Sequence, residues 1–132
     1  MSKTEVKYTV QDVVAAIFYF SHQEYLSARM QEIMEVIAGL RPRYSVLQGI
    51  RFDFRDINPF SPDIESALGT LGLARMFKRL GPEYKILILK TEAFKNYWEK
   101  TRELFTPEEV SQLEEIGREY AKALGVKDPF GH

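Results

Sequence analysis

FDFRDINPFSPDIESALGTL, residues 52 to 71, decides the fold, because its hydrophobic period changes from two to nearly four within one short stretch. Ile50, Phe52 and Phe54 alternate with Arg51, Asp53 and Arg55, the pattern of a strand with one face buried. The alternation predicts a strand running from Val46 to Phe54. Asn58 and Pro59 are turn formers. Ser61 then supplies an N-cap hydroxyl, Pro62 suits the first helical position, and Asp63 and Glu65 sit at the positive end of the helix dipole. Ile64, Leu68 and Leu71 give this helix a buried line and Gly72 a stop, while Gly69 in its interior costs about 1 kcal/mol relative to Ala.

Toward the N-terminus, Val10, Val13, Val14, Ile17 and Phe18 recur at helical spacing behind Thr9 and Asp12, which are placed as N-cap and N3 partners. A second helix is expected to start at Ser21, boxed with Glu24, or at Ser27. Leu26, Met30, Ile33, Met34 and Ile37 form its stripe, and Gly39 with Pro42 sets its end near Ala38. Toward the C-terminus, residues 74–80 and 84–90 form a hairpin around Gly81 and Pro82, with YKILILK the clearest strand. Phe94, Tyr97, Trp98, Thr101, Leu104 and Phe105 then mark one helix face. Thr106, Pro107 and Glu109 open a last helix through Val110, Leu113, Gly117, Tyr120 and Leu124 to Gly125. Residues 1–125 make one domain and 126–132 a flexible tail.

The expected order is helix, helix, strand, helix, strand, strand, helix, helix. That order places the chain in the α+β class, mostly helical, as a winged-helix-like core with a small antiparallel sheet and two additional C-terminal helices. On this layout the segment FDFRDINPFSPDIESALGTLG resembles the aromatic-strand, Pro-aromatic-Ser, helix signature of the SocA-like (Panacea-domain, phage-associated) and YwgA-like proteins. Pro59, Phe60 and Ser61 match the middle of that signature, Leu68 and Leu71 its helix, and Leu89 with Thr91 its end. Asn58 stands where the signature has Gly, and like Gly it tolerates a turn conformation. The Leu-Gln-Lys-Leu phrase of the second helix is echoed by Met30, Gln31, Glu32 and Ile33. The resemblance implies a non-enzymatic antitoxin-like or adaptor-like role.

Composition narrows the chemistry. A chain of 132 residues with 45% hydrophobic, 28% charged and 13% aromatic content is one folded domain of ordinary type. With no cysteine it has no thiol nucleophile and no thiolate metal ligand. The polar N-terminus and the short apolar run from Val13 to Phe20 predict no membrane span and a cytoplasmic location. His22 and His132 have no partner at metal or triad spacing, and Asp53 and Asp56 fit the outer face of a strand. No catalytic, cofactor-binding or metal-binding residue is therefore assigned.

Two binding readings follow. Residues 75–100 carry seven basic groups against three acidic ones, and Arg75, Lys78, Arg79 and Lys85 would present cations around the hairpin turn to nucleic-acid phosphates. The preceding helix offers Asp63, Glu65, Ser66, Gly69 and Thr70 instead of base-reading forks. Protein contact is accordingly the preferred reading, with Tyr19 and Tyr25 as candidate partner residues and DNA binding by a transcriptional regulator as the alternative. Homodimerisation through the two terminal helices is a third partner mode, although no heptad seam supports it.

Overall fold

The computed structural model describes residues 7–55, 58–80 and 85–127. The chain is α+β and mostly helical, with five α-helices and a small three-stranded antiparallel sheet among the described residues. Helix α1 (Val10–Ser21) is the hub. Its capping box is the expected one, with Thr9 Oγ1 accepting from Asp12 N and Asp12 Oδ2 accepting from Thr9 N. Val13 to Phe18 are all buried, so this helix is covered on every side and packs against α3, α4 and α5.

The second helix does not begin where the capping box at Ser21 predicted. Ser21 Oγ instead donates to Phe18 O at 2.6 Å, and Tyr25–Ser27 forms strand β1. Pairing wins over capping here because it buries Leu26 completely and completes a sheet. Helix α2 (Met30–Leu40) follows, with Arg29 at the N-cap and no side-chain cap. Ser27 still serves its start, accepting from Arg29 N at 3.2 Å and donating to Glu32 Oε1. The helix runs two residues past Ala38, through Gly39, because Leu40 is buried.

The strand expected over 46–54 is mostly absent. Ser45–Leu47 is a 3-10 turn that buries the adjacent Val46 and Leu47, which a period of two cannot do. Gln112 Oε1 accepts from Val46 N at 3.0 Å, and the Arg41 guanidinium donates to the carbonyls of Gln48 and Ile50, so polar side chains satisfy this loop. Only Asp53–Arg55 is extended, as β2, and it pairs with β3 (Asn58–Phe60). Asn58 and Pro59 therefore lie in a strand, where Pro59 is tolerated because a two-stranded ladder leaves each strand one edge free of pairing.

Helix α3 (Pro62–Leu73) begins as expected: buried Ser61 accepts from Ile64 N at 3.2 Å, and its own N–H points at Met34 Sδ. Strands β4 (Phe77–Leu80) and β5 (Ile86–Leu89) pair antiparallel, and the sheet order is β1-β5-β4. The turn residues Gly81 and Pro82 lie outside the described residues. Helix α4 (Thr91–Thr101) buries Phe94 and Trp98. Helix α5 (Pro107–Leu124) opens on the Thr106–Glu109 box and crosses α1 at Gly117. The segment beyond Gly125 begins in an ordered way, since Val126 N donates to Tyr25 O at 3.0 Å; residues 128–132 lie outside the described ones. No described helix is long and apolar enough to cross a membrane.

The two boxes share a device that ties elements together. Asp12 Oδ1 accepts from Tyr97 Oη of α4 at 2.7 Å, and Glu109 Oε2 accepts from Tyr8 Oη at 2.8 Å. Each carboxylate thus caps its own helix with one oxygen and holds a distant tyrosine with the other. Burial first, and the carboxylate second, push both phenols up to about 12.

Candidate functional site

The face where α3 meets β4 carries the most exposed large apolar side chain among the described residues, Leu73, at 88% exposure. Its position follows from the local sequence. Ile64, Leu68 and Leu71 point inward, and Leu73, the last residue of the helix, falls off that line. Arg75 takes a left-handed conformation (φ 61), its N–H reaching Gly72 O at 2.9 Å, and Met76 N reaches Leu71 O at 3.1 Å. This reversal sends the chain back as β4 alongside the helix it has just left.

Between the two elements lies an open hollow of about 480 Å³ lined by Leu68, Gly69, Gly72, Leu73, Phe77 and Arg79. The glycines make it. Nothing lies within 4 Å of where a Gly69 side chain would begin, and a methyl at Gly72 would stand 3.3 Å from the Phe77 ring. The Arg79 guanidinium carbon lies 5.8 Å from the centre of that ring, over its face. An apolar floor with a cation at its margin is the result.

The hydrogen bonding of β4 adds a second property. Lys90 N donates to Met76 O, directly opposite, so Met76, Lys78 and Leu80 are the residues that exchange bonds with β5. The backbone N–H and C=O of Phe77 and Arg79 point the other way, to the outer edge of the sheet. On the far side of the sheet, the outer edge of β1 is occupied by Val126 and bridged by Gly125.

The candidate cations do not form one patch. Arg79 stands at the hollow and Arg75 in the turn before β4, but strand alternation puts Lys78 on the opposite face, across from Ile88 and in register with Tyr25. Lys85 is half-buried beside Ser27, Arg29, Glu32 and Leu124, its carbonyl accepting from Ala28 N at 2.7 Å. Of the acids at the start of α3, Asp63 is taken up by Arg51, whose guanidinium reaches both its oxygens at 2.9 and 3.2 Å and whose backbone N–H adds a third bond. These bonds hold the Asp63 carboxyl below its ordinary range.

Tyr25 is half-buried on the sheet face shared with Lys78. Tyr19 is half-buried too, its ring stacked 6.2 Å from Trp98, and it lines a separate hollow of about 350 Å³ with His22, Glu24, Glu92 and Lys95. His22 closes α1 in a left-handed conformation (φ 53) and is exposed; His132 and Asp56 lie outside the described residues. Asp53 stands in β2 opposite Phe60. Among the described residues no three His, Asp or Glu side chains converge as metal ligands. Leu73 escaped the sequence reading, although a leucine one residue past the expected stop at Gly72 was a usable signal, and Gly69 and Gly72 were legible only as an interior glycine and a helix stop, not as walls of a hollow.

No protein-family model matches the chain, and neither a curated protein nor a solved structure matches it.

Proposed function

We propose that this chain is a non-enzymatic binding module that acts through protein contact at the α3–β4 face. The observation that carries the proposal is Leu73, an 88%-exposed leucine at the rim of an apolar hollow. Burying such a side chain in a partner is worth about 2 kcal/mol, or roughly thirtyfold in affinity. The resemblance to SocA-like and YwgA-like proteins points the same way, toward an antitoxin-like or adaptor-like role.

One observation favours a second reading, a DNA-binding regulator with a basic wing. The order α1, β1, α2, β2, β3, α3, β4, β5 with strand order β1-β5-β4 is similar to that of winged-helix readers apart from the inserted β2–β3 ladder, and on that reading α3 would enter the major groove. Against it, α3 exposes Glu65, Ser66, Gly69 and Thr70, and Lys78 and Arg79 point to opposite faces of the sheet. Crosslinking in the source cell compares the natural chain with Leu73→Glu, which leaves the core untouched. A partner held by the first and lost from the second supports protein contact. Affinity for random duplex DNA that falls steeply with salt and vanishes in the Lys78, Arg79, Lys85 triple-alanine variant would overturn it.

A further inference from the structure

We infer that the partner docks as an added strand: an extended acidic segment pairs with the outer edge of β4 and places an apolar side chain in the hollow beside α3. The inference rests on the protein-contact reading and names its chemistry.

Three observations converge on it. First, the sheet is treated unequally at its two edges, for Gly125 and Val126 cover β1 whereas no described residue bonds the outward backbone groups of Phe77 and Arg79. An open edge is a template for one more strand. Second, the two residues whose backbone faces outward, Phe77 and Arg79, are also the two β4 residues that line the hollow, so an incoming strand would lie along the hollow itself. The helix wall opposite is Gly69, Gly72 and Leu73, where the missing side chain of Gly69 leaves room for those of the guest and that of Gly72 lets the Phe77 ring pack close. Third, the charges choose the guest. Alternate residues of an added strand face either α3, beside Phe77 and Arg79, or the opposite face, beside Lys78. A segment with an apolar residue beside Phe77 and carboxylates beside Arg79 and Lys78 satisfies all three positions, with Arg75 at the helix end adding to the same field. A second copy does not satisfy them, since β4 against β4 sets cations against cations.

The test uses the full-length chain and random short peptides displayed on resin, selected against the natural protein and counter-selected with Gly69→Leu. That variant fills the hollow at a position with open space around it. Peptides in which an apolar residue adjoins two consecutive acidic ones are expected to be enriched. On binding, amide exchange at Phe77 and Arg79, followed by NMR, is expected to slow by about tenfold or more, while Lys78, already bonded to β5, changes little. Methylating the peptide's alternate backbone nitrogens that face β4 is expected to abolish binding. Peptides that perturb Leu73 yet leave Phe77 and Arg79 exchanging freely would overturn the strand mode and leave protein contact standing. No enrichment over Gly69→Leu would remove both. Protection of Phe77 and Arg79 on concentrating the chain alone would assign the edge to a second copy and overturn the acidic segment.

Discussion

Replacing Gly117 by alanine sets two physical effects against each other, and the structure decides between them. Gly117 lies inside α5, where helix propensity alone favours Ala by about 1 kcal/mol. A methyl there would stand 2.5 Å from the backbone carbon and Cβ of Phe20 and 2.6 Å from its carbonyl oxygen. Backbone cannot rotate away as a side-chain tip can, so α1 and α5 must separate, and α1 is the helix around which the core is built. Overpacking of this kind costs about 3 kcal/mol at the upper end of the usual range, leaving a net loss of about 2 kcal/mol after the propensity gain. For a chain of this size that corresponds to a melting temperature lowered by roughly 8 °C. Gly69→Ala is the internal control: it is also an interior helical glycine, but nothing lies within 4 Å of the added methyl. Propensity should prevail there, with a gain of about 1 kcal/mol and a rise of roughly 4 °C. Urea denaturation and calorimetry of both variants measure the difference. If Gly117→Ala matches or exceeds the parent in stability, the close crossing of α1 and α5 is wrong.

Tyr120 is fully buried and its hydroxyl has no hydrogen-bond partner among the described residues, so Tyr120→Phe should stabilise the chain by about 1 kcal/mol in urea denaturation; a comparable loss would mean that the hydroxyl is satisfied in solution. Alkaline pH should destabilise the fold through Tyr8 and Tyr97, whose phenols are held near 12 against an ordinary 10.0. Because the folded values are raised, their contribution is complete below pH 10 and is lost as pH rises from there through about 12, with burial of Tyr120 acting in the same direction. Tyrosinate absorbance followed beside circular dichroism checks this, and free titration of all seven tyrosines near 10 in the folded chain would refute it.

What was legible in the sequence was legible because its cause is local. Thr9 with Asp12, Ser61 with Pro62, and Thr106 with Glu109 each satisfy orphan N–H groups within one turn, and all three starts stand where that chemistry puts them. The errors fall where a distant partner settles the outcome. Ser21 and Glu24 spell a helix start, but Glu24 O accepts from Leu89 N and Tyr25–Ser27 is drawn into the sheet. Residues 46–52 alternate well enough for a strand, yet Gln112 and Arg41 supply the hydrogen bonds that let them coil. Tyr97 shares the helix face of buried Phe94 and Trp98 yet is only half-buried, its hydroxyl donating to Asp12 Oδ1.

The missed strand matters most for the candidate site, because an edge belongs to strand order and not to any residue. With the hairpin alone, β4 and β5 would each have one free side, and nothing in FKRL or ILIL says which stays open. Once β1 pairs with β5, the central strand is fixed and β4 alone of that hairpin is left with outward-facing bonds. Arg79 shows how the same residue changes meaning under that constraint. In sequence it is one more cation in a basic stretch; in the fold it lies over the Phe77 ring, at the margin of a hollow that Gly69 leaves open. A phosphate-binding surface would need its cations gathered on one face, whereas this strand divides Lys78 from Arg79 across the sheet, the spacing that two neighbouring carboxylates of an added strand can meet, one on each side.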